Sequence, residues 1–370
     1  MKRKLTAQAL ILPLLVAFLV LLPLLGAAVI GEHRYEHTHP AYMRQLWLRM
    51  LGEEASGADG EDTTMTGAQA TLTQGGRWNV LVMGKDATAG LTDVMMLASI
   101  DSATGDLQLL QIPRDTYANY TSRPYKKING AYAALGADGL KEFLQDNMGV
   151  AVDRYVCVDL NVLGEMVDMI GGVHMNVPAD MDYDDPAQNL HIHLKAGEQI
   201  LDGETAQMFV RFRSGYVTAD VGRMDAQKMF LSALAKQVKQ SMSTKQMLSL
   251  VCRCFGKVKT DMTLGDCLLC AKQLREIELE HMHMASLPGA SARAGGNSGA
   301  WYYILNREAT AALLSERMQA DGTFDPGGRF NDSRKKAFDD VYRASGERYR
   351  VQDYTATRVL EGDVSIQRIS

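Results

Sequence analysis

An uncharged apolar run near the amino terminus constrains the fold more than any other feature of the chain. Residues 5–31 carry no charged side chain, and Lys2, Arg3 and Lys4 stand just before them. As a helix, this run would be about 40 Å long, enough to cross the ~30 Å hydrocarbon core of a bilayer with some tilt. A cleaved signal peptide is the alternative, but its apolar region would measure only about 7–15 residues. The sequence therefore predicts one uncleaved transmembrane helix.

The rest of the chain divides into three parts by composition. Residues 32–76 are mostly polar and cannot bury a core, which predicts an extracytoplasmic linker. Residues 77–318 have the apolar patterning of a folded domain, whereas residues 319–370 are charged and predict a disordered or weakly helical tail. Because the positive-inside rule keeps the three basic residues in the cytoplasm, the main domain is expected outside the cell membrane. The net charge of −5 argues against a nucleic-acid partner.

Strand-like and helix-like segments alternate along the main domain. Residues 78–84 form a continuous apolar run, typical of a strand buried on both faces, and strands are also predicted near 94–101 and 107–113. Helices are predicted over residues 128–149 and 161–172. This alternation predicts a layered α/β domain.

Charged residues gather where the predicted strands begin and end. Asp86 follows the first strand, Asp93 precedes the second, and Arg114 ends the third. Loops beyond the strand ends of such a sheet are the usual ligand crevice. Carboxylates hold Mg²⁺ while leaving room for phosphate oxygens, and guanidinium groups match phosphate bidentately. The pattern suits a pyrophosphate with a divalent ion, but ordinary ion pairs between arginines and nearby aspartates explain it equally well.

Arg211 and Arg213 add a condition to this hypothesis. Two residues apart, their side chains point the same way on extended backbone but diverge by about 200° on a continuous helix. The hypothesis therefore requires the helix that precedes them to end near Arg211. The following Ser214 and Gly215 favour such an end.

Two histidine pairs have the spacing of one strand face. They are His191 with His193, and His281 with His283. The sequence does not place a carboxylate or any other third ligand near either pair. It therefore argues against a metal site at either pair.

The chain has five cysteines, so at least one is unpaired or bonded between chains. Cys267 and Cys270 form a C-x-x-C in an apolar stretch. A zinc site and an exported disulfide are the alternatives to buried core residues, which we favour.

Seven stretches between about Trp78 and Arg317 resemble, in order, motifs of the LytR–CpsA–Psr family of cell-envelope glycopolymer transferases. They are NVLVMGKD, TDVMML, QIPRDTY, KKINGAYAALG, MVDMIGGVHMNVP, AGEQILDGETAQMFVRFR and DVGRMDAQ. A membrane anchor ahead of the domain is also similar to the family. The resemblance implies a single α/β domain with a mixed central sheet flanked by helices.

In function, the resemblance implies binding of a polyprenyl-pyrophosphate-linked glycan and transfer of its phosphoglycan to peptidoglycan, as in teichoic acid or capsule attachment. It implies a Mg²⁺ or Mn²⁺ ion held by Asp86 and Asp93, and Asp220 as a residue that orients an arginine. The implied catalytic residues are Asp93, Arg114, Arg211 and Arg213. The implied pyrophosphate contacts are Arg114, Lys127, Arg211, Arg213, Asp220, Arg223 and Gln227.

Three positions depart from the family's pattern. Thr88, Leu91 and Ala226 stand where the family has arginine. Losing one positioned donor costs about 10²–10³ in rate at an active site. A non-catalytic polyprenyl-pyrophosphate binder, acting as an envelope scaffold or regulator, is therefore the alternative to an enzyme.

Overall fold

The computed structural model describes the main domain and a short segment after it. The described residues are 76–85, 91–120, 126–185, 190–213, 216, 220–243, 246, 258–263, 266–267, 270, 277–293, 300–324 and 353–361. The predicted membrane anchor, residues 1–31, and all but the last residue of the predicted linker lie outside them. Within the described residues, no helix is long and apolar enough to span a bilayer.

The described residues form strands and helices of varied length. The fifteen strands found there are β1 Arg77–Lys85, β2 Thr92–Asp101, β3 Asp106–Gln111, β4 Tyr117–Ala118, β5 Lys126–Lys127, β6 Arg154–Asp159, β7 Val173–Val177, β8 Met181–Asp185, β9 Leu190–Leu194, β10 Gly197–Leu201, β11 Lys259–Thr260, β12 Met282–Ser286, β13 Gly289–Arg293, β14 Trp301–Leu305 and β15 Asp353–Thr355. The α-helices found there are α1 Ala131–Met148, α2 Leu160–Met169, α3 Gly203–Arg211, α4 Asp220–Ser241, α5 Arg307–Met318 and α6 Ala356–Leu360.

Seven of these strands form one mixed sheet in the order β11, β6, β1, β2, β3, β12 and β15. β1 runs parallel to β6 and β3 runs parallel to β12, while the other neighbours are antiparallel. The predicted α/β class and mixed central sheet are confirmed. The first three predicted strands correspond to β1, β2 and β3.

Helices cover both faces of the sheet. In β1, Val80 and Val82 belong to the apolar cluster that includes α2, α3, α4 and α6 residues. The alternate residues Leu81 and Met83 belong to a second cluster that includes α1 and α5. Because successive side chains of a strand point to opposite faces, burial on both faces requires the continuous apolar run seen in the sequence. The result is a helix–sheet–helix sandwich.

Cys267 and Cys270 lie in the first of these clusters. Both are fully buried, and neither forms a disulfide with another described cysteine. Of the three alternatives for this C-x-x-C, the structure supports buried core residues.

The segment 353–361 corrects the sequence-based expectation of a disordered or weakly helical tail. β15 pairs antiparallel with β12 at the edge of the central sheet. Ala356 and Val359 of α6 are buried in the first cluster, and the side chain of Thr355 caps the helix by accepting a hydrogen bond from the Arg358 amide. A strand of three residues within a charged stretch leaves too few apolar positions for periodicity to reveal it.

Candidate active site

A single cleft collects most of the residues proposed from the sequence. Its volume is about 170 Å³. We call it the arginine cleft, and its lining residues are Asp93, Val94, Arg114, Tyr183, Leu190, Val210, Arg211, Arg213, Arg223 and Gln227. With four guanidinium groups and one carboxylate, the lining has a formal excess of three positive charges, which suits a multiply charged anion.

Asp93 and Arg114 meet because β2 and β3 are antiparallel neighbours. Asp93 lies at the start of β2 and Arg114 lies just beyond the end of β3, so sheet pairing places them at the same edge. Arg114 Nη1 donates a hydrogen bond to Asp93 Oδ1. The ion-pair alternative thus holds for this pair, but the pair lies inside a cleft that Arg211 and Arg213 also line.

Lys127 does not line the cleft. Its Nζ lies 3.0 Å from Asp115 Oδ2, and the other carboxylate oxygen of Asp115 lies 3.8 Å from Arg114 Nε. Lys127 therefore offsets the charge of Asp115, which would otherwise compete with an anion for Arg114.

The end of α3 positions the next two arginines. Asp202 caps the start of α3, where its side chain accepts a hydrogen bond 2.9 Å from the Thr205 amide. The helix ends at Arg211, and Phe212 takes extended angles of φ −61° and ψ 132°. The predicted helix end is confirmed. Phe212 is buried and packs edge-on against Tyr216 with ring centroids 5.2 Å apart, so the backbone between Arg211 and Arg213 is fixed by the core.

Arg223 and Gln227 lie one helical turn apart on α4, and both are buried. Gln227 Oε1 accepts a hydrogen bond from Gln111 Nε2 at 2.6 Å, and its Nε2 donates to the Val210 carbonyl at 3.1 Å. Gln227 therefore ties β3, α3 and α4 together beneath the arginines.

Tyr216 lies so close to the backbone beside Arg223 that only glycine fits at position 222. A Cβ at Gly222 would lie 2.6 Å from the Tyr216 Cβ, closer than such atoms ever approach. The glycine of the D-x-G-R stretch thus lets Tyr216 pack against the start of α4.

Sequence reasoning missed a buried ion pair next to Gln227. Lys228 Nζ lies 2.9 Å from Asp225 Oδ1 and 2.9 Å from Ser286 Oγ, and all three residues are buried. Ser286 pairs with Gln111 across β12 and β3, which places this group beside the residues that hold Gln227. Two charges three apart on a helix are typical of a solvated face, so the spacing gave no signal of burial.

The remaining predicted positions are only partly described. Asp220 is the first residue of α4, whereas Asp86 and Thr88 lie outside the described residues. Leu91 is 38% exposed and does not line the cleft. Ala226 is fully buried in the first apolar cluster, so its position contributes to packing rather than to the charge of the cleft.

Fold and cleft together define an α/β domain with an arginine-lined cleft. The LytR_cpsA_psr family model matches residues 50–319, and the chain belongs to this family. The family membership expected from the seven stretches is confirmed.

Named relatives place the family in cell-wall chemistry. The chain is 26% identical over 254 residues to "Polyisoprenyl-teichoic acid--peptidoglycan teichoic acid transferase TagV" of Bacillus subtilis, covering 65% of this chain and 64% of TagV. It is 33% identical over 188 residues to "Probable cell wall biosynthesis protein LcpB" of Corynebacterium glutamicum, covering 51% of this chain and 40% of LcpB. The matches thus span between about two fifths and just under two thirds of these relatives.

A solved structure agrees with the fold. A crystal structure of Bacillus subtilis TagV superimposes with a TM-score of 0.57 at 25% identity, covering 67% of this chain and 99% of that one.

Proposed function

We propose that the chain is a membrane-anchored transferase that moves a phosphoglycan from a polyprenyl-pyrophosphate-linked donor to peptidoglycan. The observation that carries the proposal is the convergence on one cleft of Arg114, which follows β3, with Arg211 and Arg213 at the end of α3, beside Asp93. Membership of the family and the printed name of TagV support it. Which glycopolymer is moved is left open.

The size and lining of the cleft fit the charged centre of such a donor. Pockets that enclose whole small molecules measure about 300–1,000 Å³, and this cleft is about 170 Å³. It therefore suits the diphosphate alone, with lipid and sugar extending beyond it. Val94, Tyr183, Leu190 and Val210 give the lining an apolar part on which the first lipid carbons would pack.

The proposed reaction is a displacement at phosphorus. A sugar hydroxyl of peptidoglycan forms a bond to the phosphorus that carries the glycan, the bond from that phosphorus to the bridging oxygen breaks, and the proton of the hydroxyl passes to the departing lipid phosphate. Arg114, Arg211 and Arg213 would bind the oxygens of both phosphates and stabilise the charge on the departing lipid phosphate. Their fixed backbone positions mean that little reorganisation is needed as that charge develops.

A Mg²⁺ or Mn²⁺ ion fits the residues present. Asp93 offers a carboxylate at the cleft, and Mg²⁺ is typically held by one or two carboxylates together with phosphate oxygens. We propose Asp86 as the second carboxylate. When bound, the ion would polarise the phosphoryl oxygens.

Residues 1–31 would anchor the protein in the cell membrane, with the amino terminus cytoplasmic and the main domain outside. This location would place the cleft on the side of the membrane where peptidoglycan lies. A reporter enzyme active only outside the cytoplasm, fused after Ser370, should be active, and an inactive fusion would contradict this orientation.

The test uses the full chain in detergent with a lipid-pyrophosphate glycan, Mg²⁺ and a peptidoglycan acceptor. The wild type should form glycan–peptidoglycan product and Arg211→Ala should form far less. Arg293→Ala is the matched control, because Arg293 is an exposed arginine that stacks on Trp301 and does not line the cleft. A wild type no faster than Arg211→Ala would overturn the catalytic proposal.

A non-catalytic binder is the second candidate, favoured by the absence of cations at Leu91 and Ala226. It predicts that the donor binds, that binding depends on Arg114 and Arg211, and that no product forms. Binding indifferent to both arginines would eliminate this candidate as well.

A further inference from the structure

We infer that the outer face of the β8–β9 hairpin is a zinc site formed by Asp184, His191 and His193. The site is separate from the arginine cleft and from the proposed Mg²⁺ ligands.

The antiparallel register of the hairpin brings the ligands together. Asp184 lies opposite His191, and Asp182 lies opposite His193. Because side chains two apart on a strand share a face, all four point the same way. We call these four residues the Asp–His face. The sequence alone argued against a metal here, since it fixed no third ligand, and the register supplies one.

Distances among the ligand atoms are those of a small chelating site. One ligand atom each from Asp184, His191 and His193 lies within 4.8 Å of the others. His193 Nε2 lies 3.4 Å from Asp184 Oδ1, close to the spacing of about 3.3 Å between ligand atoms of a tetrahedral zinc with bonds of about 2.0–2.1 Å. His191 Nδ1 lies 2.5 Å from the same Asp184 oxygen. Zinc would replace the proton of that hydrogen bond, and the two atoms would move apart by somewhat under 1 Å to reach the tetrahedral spacing.

Asp182 has the position of a residue that orients a metal-binding histidine. Its Oδ1 lies 2.7 Å from His193 Nδ1. A carboxylate that accepts from one ring nitrogen fixes the tautomer and leaves the other nitrogen available to the metal. Asp182 thereby directs His193 Nε2 towards Asp184.

The face is both accessible and held on a fixed base. The side chains of Asp184, His191 and His193 are 52–56% exposed, so an ion can reach them from solution. On the other face of the hairpin, Met181, Ile192 and Leu194 are buried in the first apolar cluster.

Ligand chemistry selects the ion. Two imidazoles with one carboxylate suit Zn²⁺ and other late transition ions, whereas Mg²⁺ takes oxygen ligands alone. Three protein ligands leave a fourth position to water. Tyr183 and Leu190 of the same hairpin line the arginine cleft, so zinc would also brace one wall of that cleft, a consequence that rests on the proposed function.

Zinc titration of the full chain tests the site. The protein would be purified in detergent with a handle other than polyhistidine, treated with chelator, and titrated with ZnCl₂ in a calorimeter. Wild type should bind one more zinc per chain than His191→Ala/His193→Ala. His281→Ala is the matched control and should bind like wild type, because His281 has the same Asp–His pairing, 2.9 Å from Asp106, without a third ligand in reach among the described residues.

Two further measurements separate this site from others. Asp182→Asn keeps all three ligands and should weaken zinc binding by about 10–100-fold. Co²⁺ bound at the site should absorb without a thiolate band, which excludes a cysteine site. Equal zinc stoichiometry in wild type and the double variant would overturn the inference and leave two ordinary Asp–His pairs. Because no phosphate donor is present, the result is independent of the transferase proposal.

Discussion

The arginine cleft and the Asp–His face are both charged, but they are built in opposite ways. The cleft combines residues from β2, the segment after β3, β8, β9, the end of α3 and α4, and it joins positions as distant as Asp93 and Gln227. The Asp–His face uses two adjacent strands, and their register alone assembles it. The cleft is supported by buried polar residues, whereas the face is exposed. The cleft should therefore depend on the whole fold, and the face only on one local pairing.

Lys228→Met should cause the largest loss of stability, because it removes one partner of the buried ion pair beside the cleft. It leaves Asp225 buried without its partner, and breaking a buried pair in this way costs about 3–5 kcal/mol. Denaturant unfolding of the full chain would measure the loss. Lys195→Met removes an exposed ion pair with Asp180 on the hairpin side and should leave the unfolding midpoint nearly unchanged. Equal unfolding midpoints for the two variants would show that the buried pair beside the cleft contributes no more to stability than the exposed pair near the hairpin.

Arg211→Ala should affect the function of the arginine cleft without affecting the Asp–His face. We expect transfer to fall by about 10²–10³, the effect of losing one positioned donor, while the unfolding midpoint and zinc stoichiometry stay as in wild type. Arg293→Ala should change neither rate nor zinc binding. A rate loss shared by both variants would mean that general surface charge, rather than the cleft, attracts the donor.

Asp202→Ala should have a moderate effect that reaches the cleft through α3. Loss of the cap should cost about 1 kcal/mol and should also weaken donor binding, since α3 carries Arg211. Asn306→Ala removes the equivalent cap of α5, whose side chain accepts a hydrogen bond 2.9 Å from the Ala309 amide. It should lower stability similarly without changing donor affinity. Equal affinity losses would show that α3 has no special link to the site.

His191→Ala should have the smallest effect on the metal-free protein. Its side chain is 54% exposed, so thermal unfolding after chelator treatment should match wild type. Zinc should then raise the melting temperature of wild type but not of the variant, because a ligand stabilises only the state that binds it. A variant that is stabilised by zinc as much as wild type would argue against the local site.

Local patterns predicted the parts of the molecule that depend on neighbouring residues. β1 is buried on both faces, so it appears in the sequence as a continuous apolar run and could be predicted as a strand. The hypothesis that Arg211 and Arg213 bind one anion required the helix to end near Arg211, and α3 ends there. Arg223 and Gln227 were assigned to the site only through a family resemblance, since no periodicity shows that they line the same cleft as Asp93.

Other features were hidden because register or burial decides them. The Asp–His face needs the pairing of Asp184 with His191, which neither strand reveals alone. Lys228 and Asp225 have the spacing of a solvated pair, yet the packing of α4 on the sheet buries them. β15 is too short for a pattern, and only the free edge of β12 makes it a strand.

The binding of a polyprenyl pyrophosphate to four forms of the full chain tests the central claim most directly. The forms are wild type, Arg114→Ala, Arg211→Ala and the double variant, compared by calorimetry at one salt concentration. If both arginines hold one diphosphate, each single change weakens binding and the two losses are not additive, since the groups share a ligand. Unchanged affinity in either single variant, or losses that simply add, would contradict a shared diphosphate site.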